Sequence, residues 1–461
     1  MENRTSLYRP PAPYPGEAKE GWRDFRNYVG SDPLSMIPKE LYECAVFQFD
    51  DVEPLKFLIN EPKLLSRVLE EQRASFSKSG GLAELMKPIL HNGLFSAEGV
   101  DWKDQHEMVT PIFSNTSVRI SFGYIQEALS SFGERLQAYA DSGKTIKLAE
   151  EINFLIADIN FRCVFSKPIE IQLEHQCFNS IMKYEEEVTE TASDLNQRYG
   201  KSEPAFTDAA LKTAEDVRKV ISQIIDDHIH NRPPNSQNFF QVLQNARVPS
   251  TGKHFTRSQL IDQVASIFLS SHETTSAALC WSIFILAQCP KIVERIRSEV
   301  QMVTASARIS YEHLPRLRFT RDVFKEVLRL YPPVLYLSRV AREDTLLGNT
   351  LIPKESMVII SPWIVHRHNS FWENPDQFDP DRFSRGEAKA TLGSYFPFGL
   401  GPRMCTGASY VTFLGIKVIA QLCTMFDFET LNTDEVRPDS SLYLKPSRPV
   451  LCKVHKRKNS T

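Results

Sequence analysis

Across residues 117–286, apolar side chains recur at helical spacing with no linker between successive runs. Only two polar stretches interrupt this pattern, at residues 199–204 and 231–238, where prolines and asparagines cluster. So long a helical middle excludes a β-sandwich, a β-barrel or a regular alternation of strands and helices. The helical pattern returns over residues 290–304, over 317–330 until Pro332-Pro333 stops it, and over 408–425. Short strands are predicted at 45–49 and 55–59, flanking Asp50-Asp51, and again at 334–340, 346–352 and 357–361. Residues 370–404, rich in Pro, Gly, Phe and Asp, read as irregular chain. Length alone, 461 residues, suggests about three domains. The absence of linkers and internal repeats instead favours one large domain, mainly α with small β-sheets (α+β), over residues 41–455. A Pro-rich soluble leader (1–40, with Pro10, Pro11, Pro13 and Pro15) and a basic tail (456–461) are expected to flank it.

Charge narrows the function classes. With 54 basic and 57 acidic side chains the net charge is −3, so no overall basic field exists to hold nucleic acid or an anionic membrane. The eight cysteines, at 44, 163, 177, 280, 289, 405, 423 and 452, are too sparse for a disulfide framework and include no Cys-x-x-Cys, which points to a reducing, cytoplasmic compartment. The longest apolar run, residues 277–287, is eleven residues including Ser282, against about 20 for a membrane span, so no membrane anchor is expected.

Four segments carry chemistry. Phe398-Gly399-Leu400-Gly401-Pro402-Arg403-Met404-Cys405-Thr406-Gly407 presents a single thiol in a glycine-punctuated loop just before a helix. Backbone N–H groups and the positive helix end there favour the thiolate needed to ligate a metal, whereas a lone cysteine is ordinarily a small buried apolar residue. Glu326 and Arg329 are three apart and share a helix face, the spacing of an ion pair, which on a surface helix would be merely solvated. Ser270-Ser271-His272-Glu273-Thr274-Thr275 sets an acid beside a hydroxyl inside a long helix over about residues 258–289, a pair able to relay protons if it faces a metal; otherwise the threonines simply back-bond within the helix. Trp102-Lys103-Asp104-Gln105-His106 places an imidazole one turn beyond an indole.

In this order and at these separations, the segments resemble the cytochrome P450 superfamily. The loop is similar to its haem-ligand signature Phe-x-x-Gly-x-Arg-x-Cys-x-Gly, through Phe398, Gly401, Arg403, Cys405 and Gly407. The resemblance spans about 400 residues and implies the P450 fold with haem b, Cys405 being the axial thiolate that favours O–O cleavage. It also implies haem contacts from Trp102, His106, Arg339, Phe398, Arg403 and Gly407. Glu326 and Arg329, with Arg382 from Pro375-Asp376-Gln377-Phe378-Asp379-Pro380-Asp381-Arg382-Phe383, are expected to form a structural triad. Glu273 takes the acid role and Thr274 the alcohol role, while Thr275, about 100° further round the helix, should face away. Three positions depart from the family pattern: His106 replaces an arginine, Ser270 an Ala/Gly, and Ser271 a glycine that eases the helix around dioxygen. His366-Arg367 reads as structural.

The resemblance implies a haem-thiolate monooxygenase, similar to soluble bacterial members, that inserts one atom of O2 into a lipophilic terpenoid, steroid or fatty-acid-like molecule. Its expected walls are residues 82–95, 165–198, Phe268, Leu269, 334–337 and 442–444. The chain carries no dinucleotide-type glycine motif and no cysteine cluster, so electrons are expected from a separate ferredoxin or flavoprotein reductase. A P450-fold isomerase or dehydratase acting on an oxygenated lipid, and a haem-binding sensor, are the alternatives, both disfavoured by the Glu273-Thr274 pair.

Overall fold

The computed structural model describes residues 8–13, 34, 37–49, 54–78, 81–198, 206–231, 237–386, 392–440 and 442–457. Five short strands form one sheet in the order β1 (Val46–Phe49), β2 (Lys56–Ile59), β5 (Met357–Ile360), β4 (Leu337–Ala341), β3 (Phe76–Lys78). β2 and β5 are parallel and the other neighbours antiparallel, with Lys78 directly opposite Arg339 across the β3/β4 pair. The predicted strands at 45–49, 55–59 and 357–361 therefore form within a residue of expectation. The stretch at 346–352 is instead a hairpin of Thr345–Leu347 and Thr350–Ile352, separated by Gly348 at φ 61°.

Helices make up most of the rest: α1 (Gly81–Leu90), α2 (Gly99–Val109), α3 (Asn115–Ser142), α4 (Leu148–Phe165), α5 (Ile171–Arg198), α6 (Asp208–His230), α7 (Arg257–Ala287), α8 (Pro290–Thr304), α9 (Arg318–Leu330) and α10 (Ala408–Met425). The central one is α7. Its start is set by a capping box in which Thr256 accepts from the Gln259 backbone and Gln259 reaches back to the Thr256 N–H. Its 31 residues cross about 46 Å of the molecule. α7 is buried nearly all round, packing on α4, α6 and α10. Where α9 ends, Tyr331 stacks on Trp281 of α7, with centroids 4.0 Å apart and rings within 6° of parallel.

α10 has one charged residue in 18, and it is the one described helix long and apolar enough to cross a membrane; here it packs in the core between α9, α8 and α7. The expected leader also needs correction. Leu34 and Ile37 are buried in the main core, the Tyr8 carbonyl accepts from the Phe378 amide at 2.9 Å, and Arg9 pairs with Asp376 at 2.9 Å. Apolar side chains at 34 and 37 and the free backbone of 8–13 find partners on the body, so these parts of 1–40 belong to the fold. Residues 1–7, 14–33, 35 and 36, Pro15 among them, lie outside the described residues.

Candidate active site

One cavity, of about 390 Å³, lies between α7 and the loop leading into α10. The loop is shaped by its glycines: Gly399 and Gly401 sit at φ 78° and 72°, and a Cβ on Gly401 would come within 2.4 Å of the Leu69 carbonyl. The Cys405 amide donates to the Phe398 carbonyl at 2.9 Å, and the Phe396 amide donates to His366 Nε2 at 3.0 Å, which ties the loop to the buried His366. Arg367 lies 3.4 Å over the Trp363 ring, a packing role like that of its neighbour. Cys405 is exposed where it faces the cavity, along with Phe398 and Gly407, with protein packed round the rest of it. Burial pushes its thiol up, and the N–H of Gly407 only partly opposes this, so the expected ease of ionisation does not follow from backbone dipoles alone. A thiolate here needs a cation. Among the described residues no three His, Cys, Asp or Glu side chains converge to hold a metal, so a metal at Cys405 has to arrive within a group that supplies its other ligands.

Basic side chains gather at one edge. Lys78 and Arg339, cross-strand neighbours, are like charges directly opposite each other, a destabilising pairing unless an anion lies between. Arg403 completes the group, its guanidinium 4.1 Å over the Trp102 ring and donating to the Ala97 carbonyl at 2.9 Å. Trp102 in turn packs on His106, ring centroids 4.9 Å apart. Burial, then the charges of Arg403 and Arg339, holds Lys78 down to about 8; burial also holds Arg403 down to about 10 and lowers Arg339 and His106. The exposed Glu98 is the carboxylate that opposes this in all but His106. A thiol on the floor and unbalanced cations at the rim fit an iron porphyrin with carboxylate side chains. Sequence motifs missed Lys78, whose partner strand is some 260 residues away.

α7 supplies the opposite wall: Gln263, Ser266, Ile267, Ser270, Ser271, Thr274, Thr275 and Ala278. Thr274 Oγ1 donates to the Ser270 carbonyl at 2.7 Å, and Ser271 Oγ to the Ile267 carbonyl at 2.6 Å. Two expectations are corrected here. Glu273 does not line the cavity: one residue before Thr274, it is turned about 100° away and buried, its Oε1 3.5 Å from His272 Nδ1. Burial raises its carboxyl, but His272 and Lys445 outweigh this and leave it lowered, whereas burial and the Glu273 charge push the nearby Glu185 well up. Thr275, expected to face away, does line the cavity, because it follows Ser271 by four residues on the same stripe. Phe268 and Leu269 fall on the reverse face, Phe268 within an aromatic cluster with Phe161, Phe165 and Phe178. The other walls are Leu82, Leu94, Phe95, Val164, Val334, Leu337 and Tyr443 among others, and among the described side chains of 165–198 none lines it.

Behind the loop, Glu326 is bracketed by two buried arginines. Arg329 donates twice to its carboxylate at 2.8 Å and Arg382 Nε once at 2.9 Å. Arg329 also donates to the carbonyls of His366 and Pro375, both at 2.7 Å. α9 is thereby tied to the irregular chain that precedes the cysteine loop.

With this geometry, the comparisons agree. A family model described as Cytochrome P450 matches residues 33–454. Cyclooctatin synthase of Streptomyces melanosporofaciens is 28% identical over 84% of this chain and 84% of its own length. Cytokinin hydroxylase of Arabidopsis thaliana is 26% identical over 88% and 79%, and Cytochrome P450 4Z1 of Homo sapiens 25% identical over 91% and 84%.

Proposed function

The chain belongs to the cytochrome P450 family and is a haem b monooxygenase, and from that premise we propose that it oxygenates a lipophilic small molecule with electrons from a separate ferredoxin or flavoprotein. The observation that carries this reading is a single thiol, Cys405, on the floor of a mainly apolar cavity whose rim bears Lys78, Arg339 and Arg403. Bound haem supplies the redox-active iron at which O2 is activated. In the proposal Cys405 Sγ would ligate the haem iron, and Lys78, Arg339, Arg403 and His106 would hold the porphyrin carboxylates, with Trp102 bracing Arg403. Thr274 Oγ1, whose O–H is donated to the Ser270 carbonyl, turns its lone pairs to the cavity, where they accept a hydrogen bond and hold a proton donor in place. Glu273 does not touch the reacting atoms: buried one residue before Thr274, it pairs with His272 behind the cavity wall. The apolar walls keep water from the reaction and favour a substrate with little charge. A cytoplasmic setting is part of the proposal, supported by eight cysteines that are all free thiols. Turnover of a panel of terpenoids, steroids and fatty acids with O2, with and without reduced ferredoxin or flavoprotein, tests it. Oxygenated product that forms only with the donor is expected; conversion of any of them without reductant would overturn the reading in favour of an isomerase or dehydratase.

A further inference from the structure

Most of the cavity wall is apolar, yet two buried polar groups in it are left over. Asn160, on α4, is 4% exposed and its Nδ2 finds no hydrogen-bond partner among the described residues; the Oγ of Ser266, on the facing α7 and 5% exposed, finds none either. Both lie where such groups are normally paired. Ser266 is also given its room by Gly93, since a Cβ there would come within 2.1 Å of the hydroxyl. Gln263, the other amide in this wall, is by contrast accounted for: it accepts from the Leu94 amide at 3.3 Å and donates to Gln105 at 2.9 Å. Ser270, Ser271 and Thr274 have already used their O–H groups on α7 carbonyls, at 2.6, 2.6 and 2.7 Å, so toward the cavity they offer only acceptor lone pairs.

We propose that Asn160 is the polar anchor of the substrate site and that the substrate is an apolar molecule already carrying a hydroxyl. This rests on the monooxygenase reading of the same cavity. A hydroxyl both donates and accepts. It takes a hydrogen bond from the Asn160 amide and returns its own to an acceptor-only oxygen on α7, and because a half-turn about Cβ–Cγ exchanges the amide oxygen and nitrogen, either can be presented. A carboxylate is the poorer fit, because the cations lining the cavity, Lys78, Arg339 and Arg403, are gathered around Trp102 and not at Asn160. An earlier reaction that installs an alcohol, by hydration, carbonyl reduction or oxygenation, must then supply the substrate.

The haem-loaded full chain is titrated calorimetrically with 1-adamantanol, 1-methoxyadamantane, adamantane and 1-adamantanecarboxylate, and the reduced carbonyl spectrum is recorded in parallel. The alcohol should bind at least about tenfold tighter than its methyl ether or the hydrocarbon, a preference that shrinks to within about threefold in Asn160→Leu. Equal affinities, absence of binding by the alcohol, a carboxylate that binds tightest, or an unchanged preference in a haem-loaded Asn160→Leu would each overturn the proposal. Should Asn160→Leu fail to fold, the alcohol-to-ether ratio of the unmodified protein and its reduction in Ser266→Ala decide the matter. Absence of the red-shifted Soret band from the reduced carbonyl spectrum with the alcohol preference intact would instead strike the monooxygenase reading and uphold the hydroxyl site.

Discussion

Eight thiols share this chain, and environment alone separates them. Cys423, on α10, is buried among apolar side chains and its thiol is pushed up to about 12 by burial, while Cys405 opens onto the cavity. Cys405→Ser should abolish the red-shifted Soret band of the reduced carbonyl adduct and Cys423→Ser should keep it; retention of the band by Cys405→Ser would end the assignment. The loop was legible because its glycine and arginine spacing is local. The orientation of Glu273 was not, since one residue is a 100° turn and the motif names a type without a direction. Thr274→Ala is expected to leave haem content intact and to divert reducing equivalents several-fold toward hydrogen peroxide, because the acceptor that holds a proton donor at the cavity is lost. Thr275→Ala, whose side chain is only 2% exposed, should divert fewer. Peroxide measured against product checks this, and equal yields from the two variants would remove Thr274 from the relay.

Among elements, those whose pattern is local appeared in the sequence nearly as they are in the fold. α7 was expected over 258–289 and runs over Arg257–Ala287, while α10 has its predicted bounds, since a 3.6-residue period and flanking breakers suffice to mark a helix. β3 was missed: three residues, Phe76–Lys78, have no period to read, and its pairing with β4 closes a loop of some 260 residues. The same limit hid Lys78. The Glu326 contacts join α9 to distant irregular chain, and they were found only because the helix and the arginine segment each bear a recognisable pattern. Removing the carboxylate leaves two buried guanidinium groups short of their partner, a loss of about 3–5 kcal/mol. Glu326→Ala should therefore give insoluble or haem-free protein, and Glu326→Gln, which keeps the acceptor oxygen, a milder loss. Soluble yield and haem per chain measure both; a fully loaded Glu326→Ala would reduce the pair to an ordinary salt bridge.

For the molecule as a whole, one amine in the apolar interior makes stability depend on pH. Lys417 lies midway along α10, where Nζ donates to Gln126 Oε1 at 2.6 Å and the Ile309 carbonyl at 3.2 Å; no carboxylate among the described residues pairs with it, the Phe122 ring lies 5.2 Å away, and Arg308 adds repulsion. Burial is the main reason that it is held down to about 7, against an ordinary 10.5. Between those two values the unfolded chain binds a proton that the folded chain does not, so the stability of the folded state rises with pH across the window. Below about 7 the full cost of charging the buried amine is present, and above 10.5 it is absent. Lys417→Met, similar in length and uncharged, should therefore stabilise the protein most near pH 7, by about 1–3 kcal/mol, with a gain that shrinks steadily toward pH 10. Urea denaturation midpoints of both proteins at several pH values between 6 and 10 give the difference directly. A gap that stays constant over that range would mean that Lys417 titrates as a solvated lysine does, and a gap that widens would mean that α10 holds it by its charge.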